Sequence, residues 1–212
     1  MTNSSKSPPR KAAKVKARRS AKAIEKRDRT IARAVAVDED SPAGRLVGQF
    51  AELGDQPPMQ WLSGAIIAAG ALRRDRKLFR AGLRMLGAHS LATLGKAFVK
   101  DVVDRTRPGE ALASGRYKLA RGHSHAHAEQ SMPSGHSAGV VAVAAAAMAE
   151  YPEVSVPASV AASALVGAQL PSRNHFLSDV AVGSAIGLAA FAAMRLLLPP
   201  LAEREEGEPG GD

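Results

Sequence analysis

Five apolar stretches divide the chain: Pro57 to Leu72, Ala81 to Val99, Ser137 to Ala149, Val154 to Leu170 and Val180 to Leu198. They are rich in Ala, Leu and Gly, do not alternate apolar with polar, and outrun the usual strand, so a helix is predicted for each. Prolines fall where helices must stop: Tyr151-Pro152 after the third stretch, Pro171 after the fourth, Pro199-Pro200 after the fifth. The expected fold is all-α, a bundle of about five apolar helices over residues 46–200. It is flanked by disordered polar tails, basic over 1–45 and acidic over 201–212.

A bilayer span needs about 20 mostly apolar residues. Val154 to Ser172 supplies nineteen without a charge, and Val180 to Met194 fifteen before Arg195, which can snorkel. The second stretch is less apolar, with Arg84, His89 and Lys96, and the mean hydropathy of −0.12 is low for a membrane protein, although two polar tails depress it. Gly183 and Gly187, four apart, allow another helix to approach closely. A membrane-embedded bundle is the expectation. Topology then poses a conflict. The basic tail and the Arg73-Arg74-Asp75-Arg76-Lys77 loop should both be cytoplasmic, yet a single helix over 57–72 separates them. Either that helix is re-entrant or the tail is not held to the rule.

The net charge of +9 sits in the tail. Residues 1–34 hold twelve Lys/Arg against Glu25 and Asp28, a balance of +10, so the rest of the chain carries −1. Such a segment has too few large apolar residues to offset its ordering entropy, and is expected to be a solvated arm that can contact anionic lipids. Without an aromatic residue it offers no stacking platform, so no nucleic acid partner is expected. There are no cysteines, hence no disulfide or thiolate site. The basic beginning runs on without the apolar core of a secretory signal.

Three polar clusters lie between the apolar stretches: Lys100 with Arg107-Pro108, Pro133-Ser134-Gly135-His136, and Ser172-Arg173 with His175 and Asp179. Ser134-Gly135-His136 reads as a loop opening a helix, whose first amides have no internal partner and are ready donors to a phosphoryl oxygen. His136 at that mouth can pass a proton to a leaving alkoxide. His175 and Asp179 are an i, i+4 pair, so a helical turn would set the carboxylate beside the ring and activate a nucleophile. Lys100, Arg107 and Arg173 supply charge for a phosphate dianion. Read alone, each feature has a bland reading as a cap, a helix-start pair or a membrane-flanking cation; together they make a phosphoryl-transfer inventory.

Their order and content resemble the type-2 phosphatidic acid phosphatase superfamily, which also holds bacterial acid phosphatases and vanadium-dependent haloperoxidases. The first cluster has the family's Lys, six residues, Arg-Pro, and the second its Pro-Ser-Gly-His. The third departs. The family has five residues between Arg and His, whereas only Asn174 separates Arg173 from His175; counting back six from His175 reaches Gln169. Either four residues are missing or Arg173 is not the family's arginine. Arg173 is expected to bind phosphate if Pro171 turns the chain there, and Gln169 to tolerate replacement. The resemblance covers roughly residues 50–198.

The resemblance implies a phosphatase acting on a phosphate monoester or diphosphate of a membrane lipid, such as a phospholipid or polyprenyl phosphate. His175 would be the nucleophile, giving a phosphohistidine, His136 the acid and base, and Asp179 the orienting carboxylate. Lys100, Arg107, Arg173 and the Ser134 and Gly135 amides would hold the phosphoryl oxygens, with no cofactor or metal. It also implies a multi-pass protein, as in a bacterial inner membrane, with an extracytoplasmic site. The alternatives are a vanadate-dependent haloperoxidase, against which the short length argues, and a non-catalytic membrane protein with a lipid-binding or partner-binding tail. His123, His125 and His127 would share one face of an extended segment, where a metal can bind, or simply belong to a polar loop.

Overall fold

The computed structural model describes residues 9–199, so the acidic tail expected over 201–212 lies outside the described residues. The predicted helices are all present: α3 (Gln56–Leu72), α4 (Arg76–Lys100), α6 (Gly135–Glu150), α7 (Ser155–Gly167) and α8 (Leu177–Leu197). Helices α4, α6 and α8 pack against one another, with α3 laid on α4 and α7 on α6. The prolines act as expected: α6 stops at Glu150 before Pro152, and α8 at Leu197 before Pro199.

Helix α3 leads through Arg73–Asp75 into α4 as an antiparallel hairpin, with Gly70 against Phe79 and Gly82 against Ile67 and Ser63. Asp75 caps α4 by accepting from the Leu78 amide at 3.0 Å. The cationic loop and the loop after Lys100 therefore lie at opposite ends of the bundle. Arg84, buried within α4, explains its own presence at the cationic-loop end: it pairs with Glu150 of α6 and donates to the Leu198 carbonyl.

The core is made of small residues. Ala88, Ala92, Ala138, Ala142 and Ala146 are fully buried around Met59, Met85, Val140 and Val143. Large apolar side chains point the other way: Trp61, Leu72, Leu94, Phe98, Val156, Val160, Leu188 and Leu196 are each more than half exposed. Helix α8 is the one helix among the described residues that is long and apolar enough to cross a membrane.

Two parts differ from the sequence reading. Residues 9–35 form helix α1 (Pro9–Val35) and residues 42–52 helix α2 (Pro42–Glu52), in place of an arm disordered to residue 45. Composition misses α1 because few apolar contacts anchor it. Its buried Asp28 reaches Arg105 and Ser178, and Ala32 joins Ala111 and Phe176 in a small second core. Ser41 caps α2 by accepting from the Gly44 amide at 2.9 Å, with Pro42 as the first helical residue. The long connection after α4 is also structured. Strands β1 (Val103–Arg105) and β2 (Leu119–Arg121) pair antiparallel on either side of the short helix α5 (Pro108–Ser114).

Gly183 and Gly187 act as expected, letting α8 close on α6. A Cβ on Gly187 would stand 2.5 Å from the Ala138 carbonyl oxygen, and one on Gly183 would strike the Ser134 carbonyl. Since the obstacle is backbone in both cases, Gly183→Ala should destabilise the bundle by about 1–3 kcal/mol. The measurement is detergent-resistant thermal unfolding; a melting curve unchanged from the parent would contradict the close approach.

Candidate active site

The three clusters converge at one end of the bundle. Ser134, fully buried, caps α6 by accepting from the Ser137 amide at 3.2 Å. Its own amide is not open to a ligand, because it donates to the Asp179 carbonyl at 3.1 Å. This corrects the expectation for Ser134: the orphan amides at this helix start are those of Gly135 and His136, the first two helical residues.

His175 is 2% exposed and lies across from His136, with ring centroids 6.1 Å apart and planes at 58°. Its Nδ1 stands 2.7 Å from the Ser131 carbonyl oxygen. A carbonyl only accepts, so Nδ1 carries the hydrogen and Nε2 keeps its lone pair. Burial, then the Arg107 charge and then His136, hold His175 well below the usual histidine range, so the ring is neutral.

The expected His175–Asp179 contact is not made. Helix α8 begins at Leu177 with Phe176 as its N-cap, so His175 lies outside the helix and the i, i+4 geometry does not apply. Asp179 instead accepts from the Phe176 amide at 2.8 Å and from Ser131 Oγ at 2.6 Å, and pairs with Arg105. Its hold on His175 is one step removed, through Ser131, whose carbonyl fixes the imidazole.

Arg105 closes this arrangement. It is 1% exposed and also donates to Ser178 Oγ at 2.6 Å and to Asp28 Oδ2 at 2.7 Å. Asp28 in turn accepts from the Ser178 amide at 3.1 Å. The backbone adds to it, as the Ser131 amide donates to the Arg105 carbonyl at 3.0 Å.

Lys100 ends α4, and Arg107 stands at the N-cap of α5, its Nε donating to the His127 carbonyl at 3.0 Å. Its Nη1 approaches the Asn174 side-chain oxygen at 3.4 Å, which ties the first cluster to the third. The chain does turn after Pro171, and Arg173 holds the corner with φ of 56°, a left-handed conformation that disfavours side chains. The Arg173 carbonyl accepts from the Gly109 amide at 3.1 Å. Gln169 is fully buried and donates to the Ala51 carbonyl at 3.1 Å, so the expected tolerance to replacement does not fit its surroundings. His127 opens a 3₁₀ turn, which ends the extended run expected for His123, His125 and His127.

Asp28, Arg105 and Ser131 were not candidates in the sequence, nor were Glu52 and Asp55, whose carboxylates each lie 3.8 Å from His136 Nε2. Only Lys96 carries a local signal, its spacing of four from Lys100. Among the described residues, Glu52, Asp55 and His136 are the group whose ligand atoms, within 4.8 Å of one another, are placed to hold a metal ion.

A buried neutral imidazole with a free Nε2, a second histidine across from it, open helix-start amides and nearby cations are groups that phosphoryl chemistry can use, gathered at one end of a helical bundle. The chain belongs to the PAP2 superfamily, whose sequence profile matches residues 81–201, more than half of its length. No curated protein matches it in sequence. Its fold is similar to the crystal structure of a transmembrane PAP2-type phosphatidylglycerolphosphate phosphatase from Bacillus subtilis. The TM-score is 0.62 at 22% identity, covering 82% of this chain and 86% of that one.

Removing Asp28 leaves Arg105 paired with Asp179 alone and takes away the bonds that Arg105 and Ser178 make to α1. Asp28→Ala should therefore cost about 1.5–3 kcal/mol, the scale of losing hydrogen bonds to a charged group, and should expose α1 to protease. Denaturant unfolding of the purified protein measures the first effect and limited proteolysis the second. Stability within experimental error of the parent would mean that α1 is not held by this contact.

Proposed function

We propose that this protein is a membrane-embedded phosphatase that hydrolyses a phosphate monoester or diphosphate of a membrane lipid through a phosphohistidine at His175. The observation that carries the reading is the His175 ring, neutral and held at Nδ1 by the Ser131 carbonyl so that Nε2 keeps its lone pair, with the His136 ring 6.1 Å away between centroids. Nε2 attacks phosphorus in line, forming the P–N bond as the P–O bond to the lipid breaks. His136 gives its proton to the departing oxygen, then takes one from the water that cleaves P–N, releasing phosphate and restoring His175. Lys100, Arg107, Arg173 and the Gly135 and His136 amides hold the equatorial oxygens, where charge gathers. The Nδ1–H bond to Ser131 stabilises the imidazolium, and Asp179 acts through Ser131 as a positioning residue.

A lipid substrate fits the inverted packing, with alanines inside and large apolar side chains outside, which suits a multi-pass bundle in a bilayer. Phosphatidylglycerolphosphate heads the panel because the B. subtilis protein is named for it; phosphatidic acid and a polyprenyl diphosphate follow. Helix α1, with exposed Lys22, Lys26 and Arg33, lies at the site end, where it would gather anionic lipids. Its last cation, Arg33, precedes Gln56 by 23 residues. Within the window of about 15–20 residues over which cations set orientation, α3 has Arg45 alone on its tail side against Arg73, Arg74, Arg76 and Lys77 on the other, so that loop governs and the site faces outward, as in a bacterial inner membrane. Because the chain has no cysteine, single cysteines at Ser114 and Arg74 should be labelled from outside and inside respectively in intact cells.

His175→Ala should abolish turnover and acid-quenched phosphohistidine while leaving the protein folded; activity above about a tenth of the parent would sink the nucleophile assignment. His136→Ala should hurt a lipid substrate far more than an aryl phosphate, whose leaving group needs little protonation. Chelators should leave activity unchanged; strict metal dependence would assign Glu52, Asp55 and His136 a ligand role instead.

The pH profile follows from the same ring. Protonation removes the Nε2 lone pair, and His175 is held below the ordinary value of about 6.5. The acid limb of kcat/KM that reports His175 should therefore lie below pH 6.5. Arg107→Gln removes a lowering charge and should move that limb upward, whatever it does to the maximum rate.

A further inference from the structure

Lys96 sits one turn before Lys100 on α4, so both side chains leave the same face of the helix. That face looks onto the start of α6. A Cβ built on Gly135 would stand 3.0 Å from both Cδ and Nζ of Lys96, so the lysine stem crosses the bare backbone of the turn that carries the two open amides. Glycine at 135 is what leaves room for it. The neighbouring carboxylates Glu52 and Asp55 are directed at His136, and neither forms an ion pair with Lys96. Its ammonium is close enough for its charge to bear on both His136 and Lys100.

Arg173 is placed differently. It occupies a left-handed corner with its carbonyl tied to Gly109, and its Nε is buried without a hydrogen-bond partner among the described residues. The charges acting most on His136, His175 and Lys100 include Arg107 or Lys96, and Arg173 is not among them. The shortened spacing of the third cluster thus coincides with an additional cation delivered from α4.

We propose that Lys96 is a phosphate-binding residue of this site, its ammonium contacting a phosphoryl oxygen beside the Gly135 and His136 amides. It supplements Lys100, Arg107 and Arg173. A compact ammonium over a helix start suits a terminal phosphate dianion, with its three free oxygens, better than a phosphodiester, which has one negative charge to share. The inference rests on the phosphatase reading above and adds to it one further phosphate-binding residue.

The test compares the parent with Lys96→Gln and Lys96→Arg, purified in detergent, by kinetics on a short-chain lipid phosphate and by calorimetric binding of orthovanadate. Lys96→Gln should lower kcat/KM by about 30-fold or more, the scale of losing one donor to a developing oxyanion. Vanadate binding should weaken by about tenfold or more, while Lys96→Arg recovers most of both. A purely structural lysine would lower the melting temperature without weakening vanadate binding in the folded fraction. Lys96→Gln within about threefold of the parent on both readouts would overturn the proposal. Should the Gln variant fail to fold, Lys96→Met, which keeps the apolar stem across Gly135, is read against the same thresholds. If the parent hydrolyses no phosphate ester, the phosphatase reading fails, and the vanadate comparison still decides whether Lys96 binds the anion.

Discussion

One guanidinium holds the catalytic end together. Arg105 is buried between two carboxylates from helices distant in sequence, Asp28 of α1 and Asp179 of α8, and also bonds Ser178. A buried cation must have its charge answered, and here the answers come from two segments far apart in the chain, α1 and the start of α8. With Asp179 fixed, the α8 N-terminus is fixed through Phe176, and Ser131 through its hydroxyl. Ser131 then presents its carbonyl to His175. The orientation of the proposed nucleophile thus descends, bond by bond, from an ion pair that touches neither the ring nor any position where substrate would lie.

This explains what could be read from the chain and what could not. The five bundle helices are local in origin, each announced by its own apolar stretch and the last three followed by a proline, and they appear where expected. His136 and His175 come together because each stands at a helix end and the two ends meet. The partner of Asp179 was not legible. Helical spacing pointed to His175, but the N-cap at Phe176 puts that residue outside the helix, and the true partner lies 74 residues away. Helix α1 has the same character. Its composition describes a solvated arm, and what contradicts it is Asp28, paired across 77 residues with the arginine that ends β1. The β1–β2 hairpin is three residues long on each strand, too short for alternation to show.

The packing of the bundle imposes a further constraint. Alanines in the core let α4, α6 and α8 approach closely, and Gly183 and Gly187 bring α8 against the α6 backbone. In water such a core would bury little apolar surface while exposing a good deal, an unfavourable division. In lipid the outward leucines cost nothing, and close backbone contact becomes the main source of cohesion. The same approach delivers the Ser134 amide to the Asp179 carbonyl, so the fit that holds the helices together also sets the loop bearing His136.

The cations near His175 serve two states of the site in opposite ways. In the free protein burial and Arg107 together disfavour a charged ring, so the proposed nucleophile is available without waiting to lose a proton. A bound phosphate dianion would offset the same cations and remove the repulsion that an imidazolium would otherwise meet. In the proposed mechanism, attack on phosphorus would create that imidazolium at the moment when the anion is seated beside it. A site whose burial and cations keep its histidine neutral when empty would therefore become one that tolerates the positive ring when occupied, the change being supplied by the ligand's own charge with no movement of the bundle required.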